Sequence, residues 1–220
     1  VEDTTIENVL KTFEDFYLKK DYPSALKVLE KSEKEIDPAL WHYNMGTTLG
    51  ELNNWPMARF HFILADKAGF TSKELEQNIK VVEKKLDVAR LEKPLTTSDF
   101  LIKSGLVAAE GPLISLSLII IILSIWKMKK NLNVKTVLAS IMIMTIPLLL
   151  SAWINSWEQK MCPVSTPIYE GPSALFHIKG ELPAGIVVLT NKKDDWEKII
   201  FPSRYSGWIK TGELKLLETK

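Results

Sequence analysis

Two long stretches without a single charged side chain, split by a run of lysines, constrain this chain more than any other feature. From Gly111 to Trp126 there is no charge, and from Thr136 to Trp157 about 22 further residues carry none either. At 1.5 Å per residue the second stretch spans roughly 30 Å, the thickness of a bilayer's hydrocarbon core. The first reaches that length if it begins near Gly105, which leaves Glu110 close to one end, within reach of the headgroup layer. A buried helix would account for either stretch alone, but two of them within about 50 residues predict a transmembrane hairpin over residues 111–157.

Between the stretches, residues 127–135 carry four lysines and no acid. A loop of that charge resists translocation, so it is expected in the cytoplasm, with both flanking regions on the opposite, periplasmic side of a bacterial inner membrane. Trp126, Trp153 and Trp157 stand where interfacial aromatic belts belong. Pro147 would kink the second span, and Gly105, Ala109, Gly111, Ser115, Ala139 and Ser140 would allow close helix contacts. An exported N-terminal region needs a signal sequence, so Val1 is expected to be a processed or trimmed start. The residues from Ser98 to Ala109 suit a helix lying on the outer leaflet, capped by Ser98, with Pro112 opening the span and Glu110 marking the corner. Glu110 has a second reading, as a proton relay, which the interfacial placement outranks.

Charge divides the chain into three zones. Residues 1–100 hold 14 Lys/Arg against 18 Asp/Glu, residues 101–160 hold 6 against 2, and residues 161–220 hold 8 against 7. None is the basic stripe that would displace counterions from a phosphate backbone, so nucleic acid is excluded as a partner. Cys162 is the sole cysteine, which rules out an internal disulfide.

The first zone repeats itself. Laid over the chain at an offset of 33 residues, Phe13 falls on Gly46, Phe16 on Leu49, Tyr22 on Trp55, Pro23 on Pro56, Ala25 on Ala58, Leu29 on Phe62 and Ser32 on Ala65. Ile6, Val9, Leu10, Phe13 and Phe16, then Leu26 and Leu29, recur at helical spacing. A period of that length built from helical pairs marks a solenoid. The second unit, from Trp41-His-Tyr-Asn-Met-Gly46 through Asn53-Asn-Trp55 to Ala58, Phe62 and Ala65, resembles the tetratricopeptide repeat. Thr71-Ser-Lys-Glu74 is a capping box, and Leu75, Ile79, Val82, Leu86 and Ala89 predict one further helix that ends before Pro94. The resemblance implies partner binding in a shallow groove, with Tyr43 and Thr47 as groove residues; packing is the rival explanation for both. His42 and His61 lack any further ligand at metal spacing and are expected to be packing or surface histidines.

Beyond Trp157 short apolar runs alternate with turns: Val164–Tyr169, Ala174–Ile178, Ile186–Leu189, Trp196–Phe201 and Trp208–Ile209. Five strands in so short a span predict a small all-β barrel. Gly171-Pro-Ser173, Pro183-Ala-Gly185, Trp196 through Ile200, and Gly207-Trp-Ile209 resemble bacterial SH3-like domains. That resemblance implies an aromatic ligand groove of Tyr169, Trp196, Tyr205 and Trp208, although filling a small core outranks a ligand role for Trp196 and Trp208.

The expected fold class is therefore a multidomain membrane protein. It would hold an all-α tetratricopeptide-like solenoid over 1–93, a linker over 94–110, the hairpin over 111–157 and an SH3-like barrel over 158–220. No phosphate loop, nucleophile elbow or His-Glu-x-x-His helix is present, so the chain does not read as an enzyme and calls for no cofactor or metal. The module order resembles the E-component family of the Bacteroides aerotolerance (Bat) operons. The resemblance implies a scaffold or adaptor in envelope or oxidative stress, set in the lipid bilayer and working with von Willebrand factor A-domain membrane proteins and a MoxR-type ATPase. The alternative is a cell-wall sensor whose SH3-like domain binds peptidoglycan; a third reading is a transport subunit using Glu110.

Overall fold

The structure is a computed structural model, and it describes residues 2–107, 119 and 157–218. The described residues begin with α1 (Glu2–Leu18), α2 (Tyr22–Lys31), α3 (Pro38–Glu51), α4 (Trp55–Lys67) and α5 (Lys73–Lys85), followed by α6 (Val88–Leu91) and α7 (Thr97–Val107). The strands follow: β1 (Glu158–Met161), β2 (Thr166–Tyr169), β3 (Ile178–Leu182), β4 (Val187–Lys193), β5 (Trp196–Phe201), β6 (Gly207–Lys210) and β7 (Lys215–Leu216). A single 3-10 turn, Ser203–Tyr205, lies between β5 and β6.

Local chemistry sets where the helices start. Asp21, Asp37, Asn54 and Ser72 each accept a hydrogen bond from the backbone N–H three residues on, and a proline stands in the first turn of α2, α3 and α4. These side chains satisfy donors that a helix start leaves free. The 33-residue repeat is visible in the turns. Lys20 and Asn53 both adopt φ of 60°, and Asp21 N bonds Phe16 O just as Asn54 N bonds Leu49 O, each at 2.9 Å.

Within the second helical pair, Gly46 lies against the ring of Phe62, and Ala58 is fully buried. A Cβ at position 46 would stand 2.6 Å from Phe62 Cδ1, and Phe62 is only 2% exposed and has little room to yield. Gly46→Ala is therefore expected to lower stability by about 1–2 kcal/mol, because overpacking outweighs the gain in helix propensity. A reduced midpoint of urea unfolding at unchanged slope is the check.

All strands join one antiparallel sheet in the order β3-β2-β6-β5-β4-β1-β7. One face of the sheet buries Ile168, Leu182, Ile186, Val188, Ile199 and Ile209 together with Cys162. Among the ladders lies a buried ion pair, Lys160 Nζ to Glu197 Oε2 at 2.8 Å, with Thr190 Oγ1 donating to the same oxygen at 3.1 Å. Burial alone would depress Lys160, but the hydrogen bonds it donates to Glu158 and Glu197 outweigh that and hold the ammonium above its ordinary pKa.

The helices pack directly against the sheet. Phe60 and Leu64 of α4 meet Met161 and Leu217 of the sheet, and Lys67 Nζ donates to Gln159 Oε1 and Leu217 O, both at 2.7 Å. Arg59, 4% exposed, donates to Gly185 O at 2.5 Å and to Glu92 Oε1 at 2.6 Å, and Glu92 Oε1 accepts from Val187 N at 2.7 Å. Gly185 adopts φ of +83° and lies under Leu86, so the turn before β4 needs glycine on both counts.

The expected fold class is thus corrected: the described protein is mixed α/β, with helices laid on a seven-stranded antiparallel sheet. Among the described residues, no helix is long and apolar enough to cross a membrane. The transmembrane hairpin, the inner-membrane localisation and the periplasmic orientation built on it are withdrawn. The uncharged stretches, the lysine loop, Glu110, Trp126 and Trp153 lie outside the described residues, apart from Ile119 and Trp157. Trp157 is not an interfacial anchor, because it is 7% exposed and packs with Leu189 and Phe201. Nor does the segment after Ser98 lie on a leaflet. In α7, Asp99 is 1% exposed and accepts from Ser203 N and Ser203 Oγ at 2.9 and 2.7 Å, while Ile102 packs against the Trp157 cluster. Thr96, not Ser98, caps that helix, its Oγ1 accepting from Asp99 N at 3.1 Å.

The strand boundaries also shift. Ala174–Phe176 is a turn and β3 begins at Ile178; β4 runs on to Lys193, where the expected turn had begun at Asn191. β1 and β7 were not expected at all. The expected single helix through Ala89 breaks at Asp87, whose φ of 52° separates α5 from α6.

Candidate functional site

Between α2, α3, α4 and β7 lies a cleft of about 630 Å³. Its apolar lining comes from Leu26 on α2, Trp41 and Met45 on α3, and Met57, Phe60 and Leu64 on α4; β7 closes the other side. Glu30, Glu33, Lys34, Lys215 and Glu218 form a charged rim. An apolar recess with a polar margin is the common form of a binding site.

At its base lie the two histidines. His42 Nδ1 and His61 Nδ1 are 2.9 Å apart, which requires one ring nitrogen to donate and the other to accept. Trp41 packs edge-on to both rings, at centroid distances of 4.8 and 5.4 Å, and Phe60 stands perpendicular to His61. His61 is pushed down to about 3, first by burial and then by His42 and Lys215. His42, half-buried, is lowered by burial against the opposing pull of Glu33. At neutral pH the pair is therefore uncharged, held in place by its shared proton and by aromatic edges.

No group of three or more His, Cys, Asp or Glu among the described residues is disposed to hold a metal ion. Cys162 is outside the cleft, fully buried, with Sγ donating to Val164 O at 2.9 Å; burial pushes its pKa up and keeps it a thiol. The cleft thus offers shape, apolar contact and rim charge.

Tyr43 and Thr47 face another part of the helical layer. The Tyr43 ring stacks on Phe70 at 4.4 Å and packs against the helical core. Thr47 Oγ1 donates to Tyr43 O at 2.8 Å and lines a separate recess of about 370 Å³ with Glu51, Asn53, Trp55 and Asn78.

Three of the four sheet aromatics come together. Tyr169 meets Trp196 edge-on at 5.3 Å, Tyr169 pairs across the ladder with Trp208, and Lys198 Nζ stands 6.0 Å above the Trp208 ring. All three rings are half-buried. Tyr205 is elsewhere, in the 3-10 turn, packed with Leu91 against the sheet core.

The histidine pair and the β7 edge escaped the sequence reading. Trp41-His42 and Phe60-His61, two aromatic–histidine pairs on helices of one repeat unit, were the available signal. Comparison of the chain with protein-family models, with curated proteins and with solved structures returned no match.

Proposed function

We propose that this chain is a protein-binding adaptor that holds a segment of a partner in the cleft between α2, α3, α4 and β7. The observation that carries the reading is the cleft itself. Trp41, Met45 and Met57 line a recess bounded by charged residues, the composition by which a protein surface takes up a partner's apolar side chains. Methionine and aromatic linings adapt to varied side chains and supply large contact area, which suits recognition.

The resemblance to the Bat E-component family rests on a module order that includes the withdrawn hairpin. The partner is therefore argued from the chemistry of the cleft.

Met57 lines the cleft and is only half-buried, so a charge there disturbs the lining more than the fold. Met57→Glu is expected to abolish co-purification of a partner protein that the unaltered chain retains under native conditions, while leaving the thermal midpoint within a few degrees. A set of co-purifying proteins unchanged by the substitution would overturn the adaptor reading.

A further inference from the structure

We infer that the partner's segment binds as an extra β-strand along the open edge of β7, with its alternate side chains entering the cleft and a basic residue at the end facing Glu30 and Glu33. The inference rests on the adaptor reading and gives it a binding mode and a partner chemistry.

The backbone supplies the first part. β7 is the last strand of the sheet and pairs on one side, with β1. Leu217 N donates to Gln159 O at 2.9 Å, so position 217 turns its backbone toward β1. In an antiparallel ladder successive residues alternate in this respect, which directs the N–H and C=O of Leu216 away from β1 and outward. Among the described residues no strand occupies that side. An open edge next to side-chain pockets is the arrangement used in strand addition, in which main-chain bonds provide affinity and alternate side chains provide specificity.

The cleft supplies the second part. Lys215, Leu216 and Glu218 line the same recess as Trp41, His42, Met57 and His61, so a strand laid beside β7 would run along the lining that the helices supply. Its inward side chains would meet an apolar surface, and the outward ones would reach solvent. A helix has its main-chain groups bonded internally and would leave the edge of β7 unused.

Charge supplies the third. Lys215 Nζ stands 5.4 Å over the Phe60 ring, and Glu218 acts on Lys67, so that end of the rim is balanced within the protein. Glu30 and Glu33 are exposed and take part in no ion pair among the described residues. Glu33 is near enough to bias His42, which places this acidic pair at the histidine end of the cleft. A lysine or arginine in the bound segment complements it.

The test uses the full chain as bait for random short peptides displayed on phage, followed by synthetic copies of the enriched sequences. Enriched peptides are expected to alternate apolar and polar residues and to carry a basic residue toward one end. Their binding should fall about tenfold or more on Leu216→Pro and on N-methylation of alternate peptide amides. Proline is compatible with an outward-facing edge position, so the fold tolerates the variant. Glu33→Lys is expected to reverse the preference for basic residues. Absence of enriched peptides, enrichment of sequences with helical spacing, or binding indifferent to Leu216→Pro would overturn strand addition. If Met57→Glu abolishes partner recovery while Leu216→Pro leaves it intact, strand addition fails and the adaptor reading stands. If Met57→Glu is itself without effect, the adaptor reading fails.

Discussion

Acidification from pH 7 to pH 4 is expected to remove on the order of 3 kcal/mol of folding stability through His61 alone. The folded pKa of this histidine is about 3, far below the ordinary 6.5. A group whose charged form is disfavoured in the fold binds its proton in the unfolded chain first. Its contribution is therefore fully present above pH 6.5 and lost progressively as the pH falls toward 3. His42 shifts in the same direction and adds to the loss. Asp99 acts in a different window. Burial opposes its charge, but hydrogen bonds from Ser203, Leu95 and Thr96 outweigh that and hold its pKa below 3.8, so its contribution persists until the pH falls below that value. For a domain with a net stability of roughly 5–15 kcal/mol, the histidine loss is large. Urea unfolding at a series of pH values measures it. His61→Phe, which keeps an aromatic ring beside Trp41 and Phe60, is expected to flatten the curve between pH 6.5 and 4. A curve as steep as that of the unaltered chain would show that His61 is not the group responsible.

Replacing Arg59 by methionine is expected to cost about 3–5 kcal/mol, because it leaves buried groups without their partner. The guanidinium meets Glu92 with two nitrogens, at 2.6 and 3.2 Å, contacts Glu83 at 3.2 Å, and donates to Gly185 O at 2.5 Å. Removing it strands the Glu92 carboxylate, which is itself tied to Val187 N, at the contact between helices and sheet. A double variant, Arg59→Met with Glu92→Met, is expected to recover part of the loss, since two apolar side chains leave no uncompensated charge. Recovery stays incomplete because the N–H of Val187 then lacks its acceptor. The coupling shows in a double-mutant cycle of unfolding free energies. Additive losses, with the double variant worse than either single one, would contradict this account.

The helical half of the fold was legible because its determinants are local. Asp21, Asn54 and Ser72 cap helices through neighbours three residues away, and the repeat at 33 residues places equivalent turns at Lys20 and Asn53. The sheet was legible where apolar residues alternate, as in β5, and hidden where a long-range contact decides. β1 reads Glu-Gln-Lys-Met, a polar string, because Lys160 is neutralised by Glu197 from β5, 37 residues on. β7 is two residues long and has no pattern of its own. The cleft was invisible for the same reason: it exists only where α4 lies against Met161 and Leu217, roughly a hundred residues or more further along the chain. Arg59 gave no sign in sequence that it would be buried. The uncharged stretches misled because composition reports on apolarity without reporting on placement, and Trp157, taken as the end of a span, belongs to the core of the sheet.

The contacts of α7 tie it to the sheet at two places. Asp99 is fastened to Ser203, and Ile102 packs on the cluster that contains Trp157. Ile102 and Trp157 therefore meet on one patch of the fold, with Leu189 and Phe201. Asp99 consequently acts as a clasp: its carboxylate holds the turn after β5 to α7, so losing it would loosen helix and sheet together.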